Sequence, residues 1–270
     1  MKKAEWGKEA CFIAGGTFLQ LEWEKGKGIP NYLIDVSSIH ELEELTIKNA
    51  VHYDVLSIGA LTTLATCRHH VLIKQTRKLL SDALKNIAAP SVRNRGTIGG
   101  NIACRFGDVI PALLAMDAEI GVYTPTGYKK KSLWTWIRQE NNELDFLITN
   151  IEIPLFESSN HQHCFYKKIG RREAFTAAIV TVSGCVSIND RGVITQIRLA
   201  IGGGDNAPQR LTWTEKLLLG TQLNIVDWKS VYRSIQQEFV PATDVFITGH
   251  YRKKVAANLL ISHLQMIEHS

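Results

Sequence analysis

Two glycine-rich segments constrain this chain more than any other feature: Ala14-Gly15-Gly16-Thr17, and the stretch from Ser91 to Asn101 with Gly96, Gly99 and Gly100. The first ends an apolar run, Phe12-Ile13-Ala14, and leads into a helix-compatible stretch. Glycine permits positive φ and close backbone approach, so such a turn can aim successive N–H groups at a phosphate. A tight strand-to-helix turn would use the same residues. The second segment adds Arg93, Arg95, Thr97 and Asn101 to its glycines. That combination suits a diphosphate: cations raise the local potential, amides donate, and hydroxyl and amide side chains fix oxygens. Neither segment is a G-x-x-x-x-G-K-[ST] loop or a G-x-G-x-x-G fingerprint in its strand–helix setting. Read as two glycine loops about eighty residues apart, they suggest a long ligand gripped from two sides.

Around them, short apolar strands alternate with helices. Cys11–Ala14, Tyr32–Val36 and Val55–Gly59 read as strands, and Leu61–His69 and Leu72–Ala89 as helices with apolar residues three and four apart. An apolar helix is expected over Val109–Met116, and strands near Glu119–Tyr123 and Leu144–Ile153, the latter closed by Pro154. The polar stretch Glu157–Gln162 has linker composition, which divides the chain into residues 1–156 and 157–270. Beyond it, strands near Phe165–Ile169, Ala177–Ile188 and Val193–Ile201, with a turn at Asn189-Asp190-Arg191-Gly192, precede helices at Thr214–Leu219, Asp227–Glu238 and His250–Gln265. The expected class is α+β, the second part being a small antiparallel sheet with helices on one side.

Composition excludes several functions. No apolar run approaches the roughly 20 residues that span a bilayer, and no signal-type apolar stretch opens the chain, so a cytoplasmic protein without membrane contact is expected. The net charge of +5 is modest and its densest run, Lys129-Lys130-Lys131, reads as a solvated turn or strand edge, so no nucleic-acid partner is expected. Cys11, Cys67, Cys104, Cys164 and Cys185 show no C-x-x-C pair or metal-site spacing; they read as reduced, mostly buried thiols, an odd number arguing against a disulfide framework. His69-His70 and His161-x-His163 lack further ligands and read as surface or turn residues. Trp134 and Trp136 read as packing groups on a strand or turn.

Several segments then occur in the order seen in one family. Ala14-Gly15-Gly16-Thr17, Leu33-Ile34-Asp35-Val36 followed by Glu41-Leu42, Ile58-Gly59-Ala60-Leu61-Thr62-Thr63, Val92 through Ala103, and Pro111 through Ala118 resemble the FAD-binding medium subunits of molybdenum hydroxylases, such as xanthine dehydrogenase and carbon monoxide dehydrogenase. Ile151-Glu152-Ile153-Pro154, Lys167 with Arg171-Arg172, Ala207-Pro208 with Arg210, and Tyr251-Arg252 with Val255-Ala256 are similar to landmarks of that family's C-terminal domain.

The resemblance implies a two-subdomain FAD-binding domain of the PCMH/VAO type ahead of the C-terminal domain. It implies that Ala14, Gly15, Gly16, Thr17, Phe18 and Leu19 hold the FAD diphosphate from one side and Thr97, Ile98, Gly99, Gly100 and Asn101 from the other. It places Asp108 and Ile87 near the flavin nucleotide, and Ile148 and Lys167 near the isoalloxazine ring, with no catalytic residue and no metal ligand in this chain. The implied activity is electron transfer from the 2Fe-2S clusters of a small subunit through FAD to NAD⁺, the substrate being oxidised at a molybdenum cofactor in a large subunit. A self-sufficient FAD-dependent reductase or oxidase and a flavin-free scaffold subunit remain as alternatives. Three departures stand out. The lead-in before Ala14 is shorter than in relatives, so the first layer of the FAD domain is expected to be incomplete. The stretch Ile102–Gly107 is shorter than the Ser-Pro-Ala-bearing one of relatives, which bears on the placement of Asp108. Thr176 stands where many relatives have an aspartate, in the loop that gates the flavin's nicotinamide side.

Overall fold

The computed structural model describes residues 2–49, 53–139, 146–155, 162–171, 178–204 and 206–268. The expectations placed on residues 157–161, His161 among them, and on Arg172 and Thr176 lie outside the described residues.

In chain order the first elements are α1 (Lys2–Trp6), β1 (Ala10–Ile13), α2 (Thr17–Glu24), β2 (Tyr32–Asp35), β3 (Leu45–Asn49) and β4 (Asp54–Gly59). Five short helices follow: α3 (Leu64–His69), α4 (Val71–Thr76), α5 (Lys78–Lys85), α6 (Pro90–Arg95) and α7 (Ile98–Ala103). Then come α8 (Ile110–Ala115), β5 (Glu119–Thr124), β6 (Gly127–Ser132), α9 (Leu133–Arg138) and β7 (Leu147–Leu155). The last are β8 (Gln162–Gly170), β9 (Ala178–Ile188), β10 (Ile194–Gly203), β11 (Asn206–Arg210), α10 (Thr212–Leu218), α11 (Trp228–Glu238) and α12 (Gly249–Glu268).

These elements form two compact units, Met1–Gly107 with Asp117–Leu155, and Asp108–Met116 with Phe156–Ser270. In the first, β1 and β2 make a small parallel sheet, and β3-β4-β7-β5-β6 a five-stranded antiparallel one. β4 is buried from Val55 to Gly59, as a strand flanked on both edges should be, while β6 is an outer strand whose Lys129 and Lys130 face water. Lys130 bridges Glu119 at 2.6 Å and Glu152 at 2.8 Å. α5 buries Leu79, Leu80, Ala83 and Leu84 and keeps Lys78, Asp82 and Lys85 outside as ion pairs.

In the second unit the sheet β11-β10-β9-β8 is antiparallel throughout. Val180, Val182, Leu199 and Ile201 pack with Leu218, Val231, Ile235, Ala256, Leu260 and Leu264 of α10, α11 and α12. α11 starts at Asp227, whose carboxylate accepts from the Lys229 and Ser230 amides. The other face carries fully buried Thr181, Ser183 and Ala200, and α8 lies across it, with Pro111 so close to Gly202 that a Cβ there would come to 2.9 Å.

Five sequence expectations need correction. The helix expected over Leu72–Ala89 is two, because Arg77 leaves helical geometry at φ −140°, ψ 67°; its guanidinium donates to the Pro154 carbonyl. Pro154 does not close β7, which continues to Leu155. Pairing with β5 has already ended at Glu152, so the proline's missing N–H costs no ladder bond on that side. The segment Ser91–Asn101 is mostly helical, α6 and α7 meeting at Gly96-Thr97. Trp134 and Trp136 lie on helix α9, Trp136 buried and Trp134 under Arg138. Finally, Cys164 and Cys185 form a disulfide, because the β8–β9 register sets them directly opposite one another, a juxtaposition that sequence spacing does not reveal. Cys11, Cys67 and Cys104 remain thiols, only Cys67 fully buried. Ahead of Ala14 lie a helix and a strand, α1 and β1.

Candidate functional site

The two glycine segments meet. Gly15 packs on the Arg95 backbone so tightly that a Cβ there would lie 1.8 Å from the Arg95 carbonyl oxygen, and a Cβ on Gly96 would lie 3.2 Å from Thr17 Oγ1. A cleft opens at this junction, lined by Ala14, Gly15, Ser37, Glu43, Leu61, Thr63, Arg95 and Thr97.

On the first side, Gly16 takes the left-handed conformation, φ 70°, and begins α2 without a side-chain cap. The first intrahelical bond runs from the Gln20 amide to the Gly16 carbonyl at 2.9 Å. Among the described residues no protein acceptor meets the N–H groups of Gly15, Gly16, Thr17, Phe18 or Leu19. A helix start with open donors and the positive end of its dipole is built to receive an anion.

The second side is different. The amides at the start of α7 are already engaged: Ile98 donates to the Thr62 carbonyl at 3.0 Å, Gly99 to that of Ala60 at 2.9 Å, and Gly100 to Thr97 Oγ1 at 3.0 Å. Asn101 donates to the Thr97 carbonyl at 3.0 Å. Gly99 is a packing glycine, since a Cβ would come to 2.6 Å of Ala60 Cβ. Gly100 is exposed, and a Cβ there would meet only Thr97 Oγ1, at 3.0 Å. Thr97 accepts with its oxygen and keeps its own hydroxyl proton for the cleft. The Asn101 side chain lies against Gly107, the closest neighbour a Cβ at that glycine would meet.

The other sequence-selected residues sit as follows. Ile87 is buried, and its carbonyl accepts from Arg93 Nη1 at 2.8 Å. Arg93 also donates to the carbonyl of Ala88, which is held at φ 46°, so its charge is engaged locally and the cleft's cation is Arg95. Ile148 is buried in β7 opposite Val122, beside a register shift in β5. Asp108 and Lys167 belong to the second unit. There Lys168, not Lys167, pairs with Asp108, Nζ to Oδ2 at 2.6 Å, while Lys167 is exposed on β8. Tyr166 donates to the Asp108 carbonyl at 3.0 Å. Burial, with the Asp108 charge beside it, pushes the Tyr166 phenol well above its ordinary pKa, so it stays a donor. The shortened stretch before Asp108 is fixed by Arg105, at φ 63°, which stacks over Trp136 and donates to the carbonyls of Ile137 and Gln139. The sequence pattern does not single out Ser37, Glu43, Thr63 or Lys168. Ser37 and Thr63 adjoin or end segments that it does single out, but nothing in the sequence separates Lys168 from Lys167.

The first unit thus presents an anion-receiving helix start beside a polar cleft, and the second an antiparallel sheet covered by helices. The family described as FAD binding domain in molybdopterin dehydrogenase matches residues 1–156, and the CO dehydrogenase flavoprotein C-terminal domain matches residues 165–267. The chain belongs to the FAD-binding medium subunits of the molybdenum hydroxylase family. It is 27% identical over 228 residues to the nicotinate dehydrogenase FAD-subunit of Eubacterium barkeri, covering 80% of this chain and 73% of that one. It is 23% identical over 249 residues to the xanthine dehydrogenase FAD-binding subunit of Escherichia coli O157:H7, covering 90% and 84%. Its structure aligns with carbon monoxide dehydrogenase from Hydrogenophaga pseudoflava at a TM-score of 0.86 over 98% of this chain and 92% of that one; at 23% identity this likeness shows the fold.

Proposed function

We propose that this chain holds FAD as the electron-transfer subunit of a xanthine dehydrogenase-like molybdenum hydroxylase, in a cytoplasmic complex with an iron–sulfur small subunit and a molybdenum-binding large subunit. The observation that carries the cofactor reading is the run of open N–H donors from Gly15 to Leu19, beside a cleft that also presents Arg95 and the Thr97 hydroxyl. FAD, when bound, accepts and releases electrons and hydride, chemistry that no side chain provides.

The chain's own residues bind and orient. Gly15, Gly16 and the first turn of α2 bind the diphosphate charge from one side, with Ala14 in the cleft wall. Thr97 donates a hydrogen bond from the other, and exposed Gly100 lets the ligand approach the backbone, with Ile98, Gly99 and Asn101 supporting that surface. Ile87, Asp108, Ile148 and Lys167 are the proposed nucleotide and flavin contacts, Lys167 offsetting negative charge on the reduced ring. Among the described residues no group of three or more His, Cys, Asp or Glu is placed to hold a metal ion, and no helix is long and apolar enough to cross a membrane. NAD⁺ is the proposed final acceptor.

Acid denaturation of the purified chain is expected to release an equimolar amount of free FAD. Anaerobic mixing with NADH is expected to bleach the bound flavin, and mixing with xanthine or hypoxanthine is not. Protein that takes up no FAD on reconstitution overturns the cofactor reading. Bleaching by a purine without other subunits overturns partner dependence, and flavin that NADH leaves oxidised removes NAD⁺ as acceptor.

A further inference from the structure

Nothing in FAD binding calls on the Cys164–Cys185 disulfide. We propose that this pair is a reversible thiol–disulfide site, exchanged by low-molecular-weight thiols and disulfides such as glutathione, with Cys164 as the sulfur that is attacked. The two residues face each other across β8 and β9 with Cα atoms 4.2 Å apart, the close spacing of a cross-strand pair, so the bond can form and break with both strands in place. The ladder from Gln162↔Ser187 to Gly170↔Ala178 pairs these strands on either side of the cysteines, so the fold does not depend on the crosslink.

Accessibility distinguishes the two sulfurs. Cys164 is exposed and lies on β8, the outer strand of its sheet, whereas Cys185 is 8% exposed on the inner strand β9. Exposed disulfides are the labile ones, and exchange proceeds at the sulfur that an incoming thiolate can reach. In reduction, a thiolate bonds to the Cys164 sulfur and the bond to Cys185 breaks, Cys185 leaving as a thiolate that takes up a proton. A second thiolate then attacks the external sulfur of the mixed disulfide and frees Cys164, so two electrons pass and the added thiol leaves as its disulfide. Oxidised glutathione drives the reverse.

The position gives the exchange a consequence. Strand alternation puts Cys164, Tyr166 and Lys168 on one face of β8. Tyr166 and Lys168 both hold Asp108. The oxidised pair fastens the strand end next to them; the reduced pair leaves that edge to the backbone ladder alone.

The test equilibrates the full chain in glutathione buffers of graded redox ratio, quenches in denaturant with an alkylating agent, and maps the labels by mass spectrometry. Cys11, Cys67 and Cys104 are expected to be alkylated at the oxidising end and all five cysteines at the reducing end. A single two-electron transition is expected, with near-ultraviolet circular dichroism unchanged and faster amide exchange in β8 on reduction. With oxidised glutathione, C185S is expected to carry glutathione on Cys164, and C164S to leave Cys185 unmodified. Five free thiols at every ratio would show that no bond forms. Three at every ratio, or reduction only with loss of the fold, would make the bond structural. Glutathione on Cys185 in C164S would assign the attack to the wrong sulfur. Each of these outcomes overturns the proposal. Cys67 is the internal control, since burial pushes its thiol up to about 12 and it exchanges only on unfolding.

Discussion

The two glycine segments read alike in sequence and are built on opposite principles. At Gly15–Leu19 the backbone presents donors that nothing among the described residues accepts; at Ile98–Asn101 every amide already has a protein partner. Glycine at position 15 exists because another part of the chain passes within a side chain's width, and glycine at 99 for the same reason against Ala60, while a Cβ on exposed Gly100 would meet only Thr97 Oγ1, at 3.0 Å. The same residue type thus serves close packing at two positions and ligand access at a third. A diphosphate held here would take most of its hydrogen bonds from the first segment and its close approach from the second.

Substitutions can break that contrast. The largest effect is expected for Gly15→Ala, because its Cβ would overlap the Arg95 carbonyl and force the two segments apart. Loss of about 3 kcal/mol is expected, with loss of flavin, read from a denaturant melt and the visible spectrum. Gly99→Ala should follow, at about 2 kcal/mol, since it must push Ala60 aside; flavin content should fall only as far as stability does. Thr97→Val removes the cap on the Gly100 amide and should cost about 1 kcal/mol, with weakened FAD affinity from the lost hydroxyl donor, measured by fluorescence titration of the apoprotein. Gly100→Val should change stability least, by under about 1 kcal/mol, because the position is exposed and its Cβ would meet only Thr97 Oγ1, at 3.0 Å, yet abolish FAD retention by filling the approach to the backbone. Full flavin content in Gly100→Val would show that the second segment serves only the turn and gives no ligand access.

Much of the fold is legible in the residue pattern alone. Strand and helix periodicity locates β1, β2, β4 and β5 and the helices α10 to α12, because each carries its own apolar pattern or cap, as Asp227 does for α11. β3 and β11 escape it: β3 is an outer strand with Lys48 and Asn49 exposed, and β11 carries Pro208 in a polar stretch, so neither shows the alternation that marks a half-buried strand. Residues 91–101 look like a loop because helices of six residues have too few turns to display a period. The site residues nearest the glycines are legible through those glycines. Arg93 reads from sequence as a ligand-side cation, but a cation's partner is set by what the fold brings to it, here the carbonyls of Ile87 and Ala88.

By itself the sequence determined the class of fold, the family and the two backbone segments that meet at the cleft, because glycine placement and apolar period are local properties of the chain. Tertiary structure alone decided which amides remain free, that Lys168 and not its neighbour holds Asp108, that α8 packs with the sheet of the second unit, and that Cys164 faces Cys185. Each of those depends on which residues, distant in sequence, the folded backbone sets within a few ångströms of one another, and no local pattern carries that information.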